Sequence, residues 1–578
     1  MSKQRVTDGE RGTPRWRRLI ETEKLRLSTG RAPVVMAVLG MLTGLVAGAV
    51  VIAFRLLYES GQLALLPGGL EDFEGLPGWQ RVVLAVAGAG IIGLYMQHFA
   101  RRDPRTGIGF VIERTAYHEA MLPLRNAIHQ FITGSLAIAS GQSVGREGPS
   151  VHMGATAGSQ LGQWLGLPHN SLRTLVACGT AAAIGASFNT PLAGVAFAME
   201  VVVMEYTIAG FLPVMIAAVT ATAMAHLVFG SDIAFSIPAL TIQGIHELPL
   251  VILLGLLLGG LAAAFIRSLH FTSGLLHGWP PVLRTMLGGL VVGVLALFVP
   301  QIMGIGYDTV AAALAGEIGA GLLLAIVAAK LVGTAAVLGL GVPGGLVGPT
   351  LIMGATAGGA VGMLAESLIS PAFGGPALYA LLGMGAMMGA TLRAPLAALT
   401  AMLELTGNPG IIMPGMLAIA AGTLSARELF RTDSVYHLAM GERGLDPRRN
   451  PMLQAASRLG ILQLVDQDFR RLPARSDDAE LDALLDDPPR WILDGDDDLP
   501  SLVCGSEAVL ANRAAGRPAM AGAARLTPID ERASLREAIE RLRASDGDIL
   551  LVIRTEATGP ERCAGVVSRE AIQSAYLS

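Results

Sequence analysis

Between Ala127 and Ala426 the chain carries only fifteen Asp, Glu, Lys or Arg in 300 residues, about 5%, where an ordinary soluble domain has about 25%. A soluble fold of that length would present hydrocarbon to water over most of its surface. The natural solvent for such a stretch is lipid, where every backbone N–H and C=O must find its partner within the chain, and helix bundles do this. Charge returns near the C-terminus: residues 441–578 hold 24 acids and 18 arginines in 138 positions, about 30%. The chain therefore reads as mainly α, a polytopic membrane protein with a small soluble α/β tail. Neither part has the basic excess of a nucleic-acid binder. Cys178, Cys504 and Cys563 are too few and too scattered for a disulfide framework, which suits a reduced cytoplasmic tail.

Residues 1–31 contain nine Lys or Arg against four acids, and the apolar run Pro33–Phe54 follows at once. The positive-inside rule puts this end in the cytoplasm. The run is longer than a signal-peptide core and lacks an A-x-A-like cleavage site, so it reads as a retained membrane helix of the cell membrane. The expected division is 1–31 basic N-terminus, 32–444 membrane domain and 445–578 tail. Residues 130–200 and 376–422 are apolar but broken by Gly, Pro and single charges. Short or half-membrane helices are expected there, because about 20 residues are needed to span the hydrocarbon.

An internal repeat narrows the architecture. Thr106-Gly107-Ile108-Gly109-Phe110 recurs as Met303-Gly304-Ile305-Gly306-Tyr307, and Met153-Gly154-Ala155-Thr156-Ala157-Gly158 as Met353-Gly354-Ala355-Thr356-Ala357-Gly358. Gly185 through Pro191-Leu192-Ala193 to Glu200 recurs as Gly389 through Pro395-Leu396-Ala397 to Glu404. The offsets are 197, 200 and 204, always in the same order. Two structural repeats, about 80–230 and 280–425, predict a transporter-like fold with its site at the midplane, where broken helices of both halves meet.

Gly145-Arg146-Glu147-Gly148-Pro149 puts ionisable residues at membrane depth, which marks a candidate functional site. Its counterpart is Gly344-Gly345-Leu346-Val347-Gly348-Pro349. Both are loops that feed helix N-termini, whose free N–H groups and positive dipole end attract anions. Two such ends converging would bind an anion without a full positive charge that slowed its release. Glu147 has a second reading as a structural ion pair with Arg146. Glu200 and Glu404 also read as solvated helix-end carboxylates. His118, His129 and His152 have no metal-ligand spacing, no Walker loop or Rossmann fingerprint occurs in context, and no nucleophile, base or metal set suggests an enzyme. No cofactor is expected.

The two glycine-rich motifs and Tyr436, just beyond the last apolar segment, together resemble the CLC chloride channels and chloride/proton antiporters, over roughly 35–445. The resemblance implies a homodimer in the bilayer, each subunit built from two inverted repeats around its own anion pathway. It implies that Glu147 is a gating glutamate that competes with chloride and swings away on protonation. It also implies anion-binding backbone N–H groups at Arg146, Gly148, Leu346, Val347 and Gly348, with the hydroxyls of Thr106 and Tyr436 facing the anion. The transported species would be chloride, with nitrate or other halides as further candidates. Thr106 replaces the family's serine in a loop that here lacks the usual first Gly and Pro, and Val347 replaces a Phe. Val201 stands where antiporters commonly carry an inner proton-transfer glutamate, so the resemblance points to a passive channel, with an antiporter using an unusual inner proton route as the alternative.

The tail resembles a pair of CBS modules. Phe469-Arg-Arg-Leu-Pro, a helix from Asp477 with Glu480 as a capping box, and Arg490-Trp-Ile-Leu make the first. Leu526-Thr-Pro-Ile-Asp, a helix from Ser534 with Glu537, Ile549–Arg554 and Gly565–Ser568 make the second. Ala571 replaces the expected ribose-binding Asp, which argues against nucleotide regulation.

Overall fold

The computed structural model describes residues 26–27, 32–101, 103–231, 235, 240–369, 374–441, 444–445, 456–457, 459–473, 478–495, 499–545, 547–554 and 562–577. Most of the basic segment 1–31, and Asp477 of the expected tail helix, lie outside them. The chain divides into two compact units. Ala37–Gly162 and Arg173–Pro447 form one, and the described part of the tail groups with Gln163–Leu172 in the other.

Within the larger unit, one series of helices occurs twice. The first is α1 Pro33–Leu65, α2 Gly78–Phe99, α3 Gly107–Tyr117, α4 Leu124–Ala139, α5 Glu147–Trp164, α6 His169–Phe188, α7 Pro191–Phe197 and α8 Ile208–Phe229. The second is α9 Leu248–Leu275, α10 Pro281–Phe298, α11 Tyr307–Leu314, α12 Ala320–Gly339, α13 Val347–Leu368, α14 Gly375–Leu392, α15 Pro395–Thr406 and α16 Ile412–Leu424, closed by α17 Val435–Gly441. Among the described residues, ten helices are long and apolar enough to cross a membrane. The helices α3, α7, α11 and α15 have 11, 7, 8 and 12 residues, too few to span about 30 Å at 1.5 Å per residue. Of these, α7 and α15 fall in the stretches 130–200 and 376–422 that the Gly and Pro pattern marked as broken, whereas α3 and α11 lie outside them.

The recurring motifs have packing reasons. A Cβ on Gly154 would overlap the carbonyl of Gly179, and one on Gly158 the carbonyl of Leu175. In the second half, Gly354 and Gly358 meet Gly383 and Tyr379 in the same way. Small residues one turn apart thus let α5 lie against α6, and α13 against α14, with backbones nearly touching. The turns into α7 and α15 also match: Asn189 and Arg393 both take left-handed φ, +60° and +57°, and Pro191 and Pro395 then open the short helices, where a missing N–H costs nothing.

Glu200 and Glu404 are not solvated helix ends. The Glu200 carboxylate accepts the N–H groups of Leu396 (3.1 Å) and Ala397 (2.8 Å) at the start of α15. Glu404 accepts those of Leu192 (2.9 Å) and Ala193 (2.7 Å) at the start of α7. Each half caps the other's short helix, which satisfies orphan donors where water is scarce.

The tail folds as two successive βαββα units. β1 Phe469–Leu472, α18 Asp478–Asp486, β2 Trp491–Asp494, β3 Leu502–Gly505 and α19 Ser506–Ala514 precede β4 Ala524–Asp530, α20 Leu535–Ala544, β5 Ile549–Arg554, β6 Arg562–Ser568 and α21 Arg569–Leu577. In each unit the first two strands are parallel and the third antiparallel. β3 pairs antiparallel with β4, so six strands follow chain order. Ser534, the expected start of the second tail helix, forms a capping box with Glu537 at the start of α20. The Ala571 N–H donates to Ser568 Oγ at 3.2 Å in the first turn of α21.

Candidate functional site

The two glycine motifs, 200 residues apart in sequence, are hydrogen-bonded to each other. Gly145 N–H donates to Gly345 O and Gly345 N–H to Gly145 O, both at 2.7 Å, in an isolated antiparallel bridge. This bridge sets the start of α5 beside the start of α13. Glu147, the first residue of α5, is fully buried. Its Oε1 accepts the N–H of Gly348 at 2.7 Å, while Oε2 has no partner among the described residues. The carboxylate thus occupies the anion-attracting end of a helix from the opposite half. Glycine is required around it, since a Cβ on Gly145 or Gly345 would collide with Oε2, and one on Gly348 would stand 2.9 Å from Oε1.

Arg146 and Glu147 form no ion pair with each other among the described contacts, so the structural ion-pair reading does not hold. The Arg146 guanidinium donates to Tyr58 Oη at 3.1 Å and lies over the rings of Phe188 (4.7 Å) and Tyr307 (5.1 Å). Gly148 is pressed against Gly344, whose carbonyl a Cβ would meet at 2.5 Å. Leu346 precedes α13 and Val347 opens it, both buried. The Val347 side chain packs in an apolar pocket with Phe188, Phe197 and Leu351, so its exchange for a larger residue alters packing and leaves the N–H in place.

Tyr436, on α17, is buried, and its hydroxyl has no partner among the described residues. It lines a cavity of about 1070 Å³ together with Thr106, Gly107 and Leu346. The Thr106 hydroxyl does not cap α3. The cavity therefore joins the loop before α3, the residue before α13 and the Tyr436 hydroxyl. Of the positions named from sequence, Thr106, Leu346 and Tyr436 line this cavity and Gly348 donates to the Glu147 carboxylate, whereas the Val347 side chain belongs to the apolar pocket.

Val201 is elsewhere. It lies in the π-helical segment Ala198–Val203, only 4% exposed, and its neighbour Glu200 is held by α15. Neither side chain lines the cavity.

Three residues escaped sequence reasoning. His152 Nδ1 accepts the Gly107 N–H at 3.2 Å, so this imidazole, rather than an anion, takes the first N–H of α3. Glu71, at φ +61°, accepts the N–H groups of Gly306 and Tyr307, both at 3.2 Å. Lys330 is fully buried and donates to the carbonyls of Ile302 (2.9 Å) and Gly304 (3.2 Å). A signal existed for the last, since Lys330 is the only lysine between residues 127 and 426.

Residues 84–427 match the voltage gated chloride channel family. The chain belongs to the CLC family. It is 33% identical over 390 residues to a putative chloride channel protein ClcB-like of Ralstonia nicotianae, covering 66% of this chain and 91% of that one. It is 29% identical over 426 residues to the H(+)/Cl(-) exchange transporter ClcA of Vibrio cholerae, covering 71% and 90%. A slow cyanobacterial Cl-/H+ antiporter shares the fold with a TM-score of 0.62 at 24% identity, covering 72% of this chain and 98% of that chain. A eukaryotic CLC transporter shares it with a TM-score of 0.58 at 20% identity, covering 96% and 98%. CLC proteins are chloride transporters or channels and not enzymes, and this chain is a multi-pass membrane protein of that kind.

Proposed function

We propose that this CLC protein is a passive, chloride-selective channel gated by Glu147. The observation that carries the reading is the Glu147 carboxylate on the Gly348 N–H, a negative group held where a transported anion would sit. Chloride arriving at that helix end competes with the carboxylate, and protonation of the carboxylate removes the competitor. Backbone N–H groups at Gly148, Leu346, Val347 and Gly348 would bind the anion beside Glu147, and the hydroxyls of Tyr436 and Thr106 would bind it in the cavity.

The channel mode rests on Val201, a buried residue that cannot carry a proton, and on Glu200, whose carboxylate is committed to two backbone donors. The second reading, a chloride/proton exchanger, is favoured by relatives named as exchange transporters. It requires an inner proton route that bypasses position 201. The assembly is a homodimer in the cell membrane with both termini cytoplasmic, and the tail acts as a CBS-like pair without nucleotide binding. Chloride efflux from liposomes holding the purified protein, measured beside efflux of nitrate and gluconate, tests the transport claim. Selective chloride release supports it, and leakage no faster than from empty liposomes overturns it.

A further inference from the structure

The cavity that joins Thr106, Leu346 and Tyr436 is also lined by three arginines, Arg101, Arg105 and Arg284, and by one acid among the described residues, Glu113. The acid is spoken for: Arg105 binds both Glu113 and Asp103, each at 2.6 Å. Arg284 is different. It sits in the first turn of α10, its Nε is sealed from solvent without a hydrogen-bond partner, and no ion pair reaches it among the described residues. Arg101, at the exposed rim beyond the end of α2, is likewise without a carboxylate partner there.

A guanidinium that is partly withdrawn from water and lacks a counter-charge is costly, and proteins ordinarily neutralise one with an acid. The wall around Arg284 supplies none. The remaining source of negative charge is the anion that moves through the cavity. The chain supports that assignment: Gly341, the neighbour of Arg284 across the cavity wall, begins the loop that runs through Gly344 and Gly345 to Leu346 at the start of α13. A charge placed there stands at the entrance to the backbone donors and is not one of them.

We propose that Arg284, assisted by Arg101 at the rim, holds a loosely bound inorganic monovalent anion in the vestibule and so sets how readily the pathway fills at low chloride. This deepens the chloride-pathway reading and rests on it. The cavity is wide enough for the anion to keep most of its water, so the site concentrates chloride without trapping it. The position beside Glu147, by contrast, is built from N–H dipoles and has no full positive charge. The bland alternative is that Arg284 merely extends its charged head towards the membrane interface.

The full-length protein in liposomes distinguishes these. Chloride flux is measured against vestibule-side chloride for the wild type, Arg284→Gln, Arg284→Lys and Arg101→Gln. Loss of one unscreened charge within several ångströms of the anion raises half-saturating chloride by about threefold at low ionic strength. Maximal flux stays near wild type, Lys restores the wild-type value, and Arg101→Gln gives a smaller shift of the same sign. Impermeant salt should erase the difference as the screening length falls to about 3 Å near 1 M. A merely structural role would lower maximal flux and leave half-saturation and its salt dependence unmoved, which overturns the proposal. Should Arg284→Gln fail to assemble, the wild type alone decides, because a half-saturation indifferent to impermeant salt also overturns it. Absence of any chloride flux through the wild type would instead refute the pathway reading and this inference with it, whereas wild-type flux with unshifted variants refutes the inference alone.

Discussion

Replacing Glu147 with Gln keeps the side chain's shape and removes its charge, so it isolates the competition at the start of α13. In the wild type one carboxylate oxygen takes the Gly348 N–H at 2.7 Å. A hydrogen bond to a charged group contributes about 1.5–3 kcal/mol net and one between neutral groups about 0.5–1.5 kcal/mol. The amide oxygen of Gln can retain the bond only in the weaker form, so the competitor loses about 1–1.5 kcal/mol there, close to a tenfold change in an equilibrium constant. Glu147→Gln should therefore lower the chloride concentration for half-maximal flux by up to about tenfold. It should also abolish pH dependence. Wild-type flux should rise as pH falls, because protonation neutralises the group that chloride must displace, whereas the Gln variant should show equal flux at every pH. The assay is chloride release from liposomes across a pH series at fixed chloride. A variant that retained the wild-type pH slope would remove Glu147 from the gate.

Gly345→Ala would place a Cβ 2.7 Å from Gly148 N and 2.9 Å from Gly145 O, as well as on the Glu147 carboxylate. Overpacking of this kind costs about 1–3 kcal/mol, so a lower melting temperature in detergent and loss of chloride flux are expected. In the tail, burial pushes the Asp530 carboxyl up, but its bonds to Arg532 (Nη2 at 2.8 Å, Nε at 3.0 Å) outweigh this and hold it below the usual carboxylate range. A depressed folded pKa stabilises the tail above the unfolded value of about 4 and loses that contribution as pH falls through the lower folded value. Amide exchange at β4 in the whole protein should accelerate over that acid window, and Asp530→Asn should flatten the dependence.

What the sequence revealed followed from features with short-range signatures. The Gly-Arg-Glu-Gly-Pro motif and its counterpart announce helix starts by composition alone, and the repeat supplied the idea that they converge. Broken helices were legible because Gly and Pro interrupt runs that must otherwise reach across the bilayer. The start of α20 at Ser534 was legible from Glu537 three residues on. Other features were hidden because they join residues far apart for local reasons. Nothing near Glu200 in sequence says that its carboxylate caps α15, or that Glu404 caps α7. The spacing between them suggested equivalence, not reciprocity. Glu71 likewise meets Gly306 and Tyr307 only after the chain has folded, and its left-handed φ has no sequence marker, since glutamate rarely adopts it. The setting of the Arg146 side chain was hidden for a similar reason. Its neighbour Glu147 is near in sequence, whereas the aromatic rings and hydroxyl that hold it come from α1, α6 and α11.

The central claim is that chloride passes Glu147 without driving protons, because position 201 offers no acid to relay them inward. Simultaneous recording of chloride and pH in liposomes of the unmodified protein tests it most directly. With an outward chloride gradient and the membrane voltage clamped by a potassium ionophore, chloride should flow while protons show no uphill movement, beyond the leak of protein-free liposomes. Uphill proton transport in fixed proportion to chloride would contradict the channel assignment and make the protein a chloride/proton exchanger.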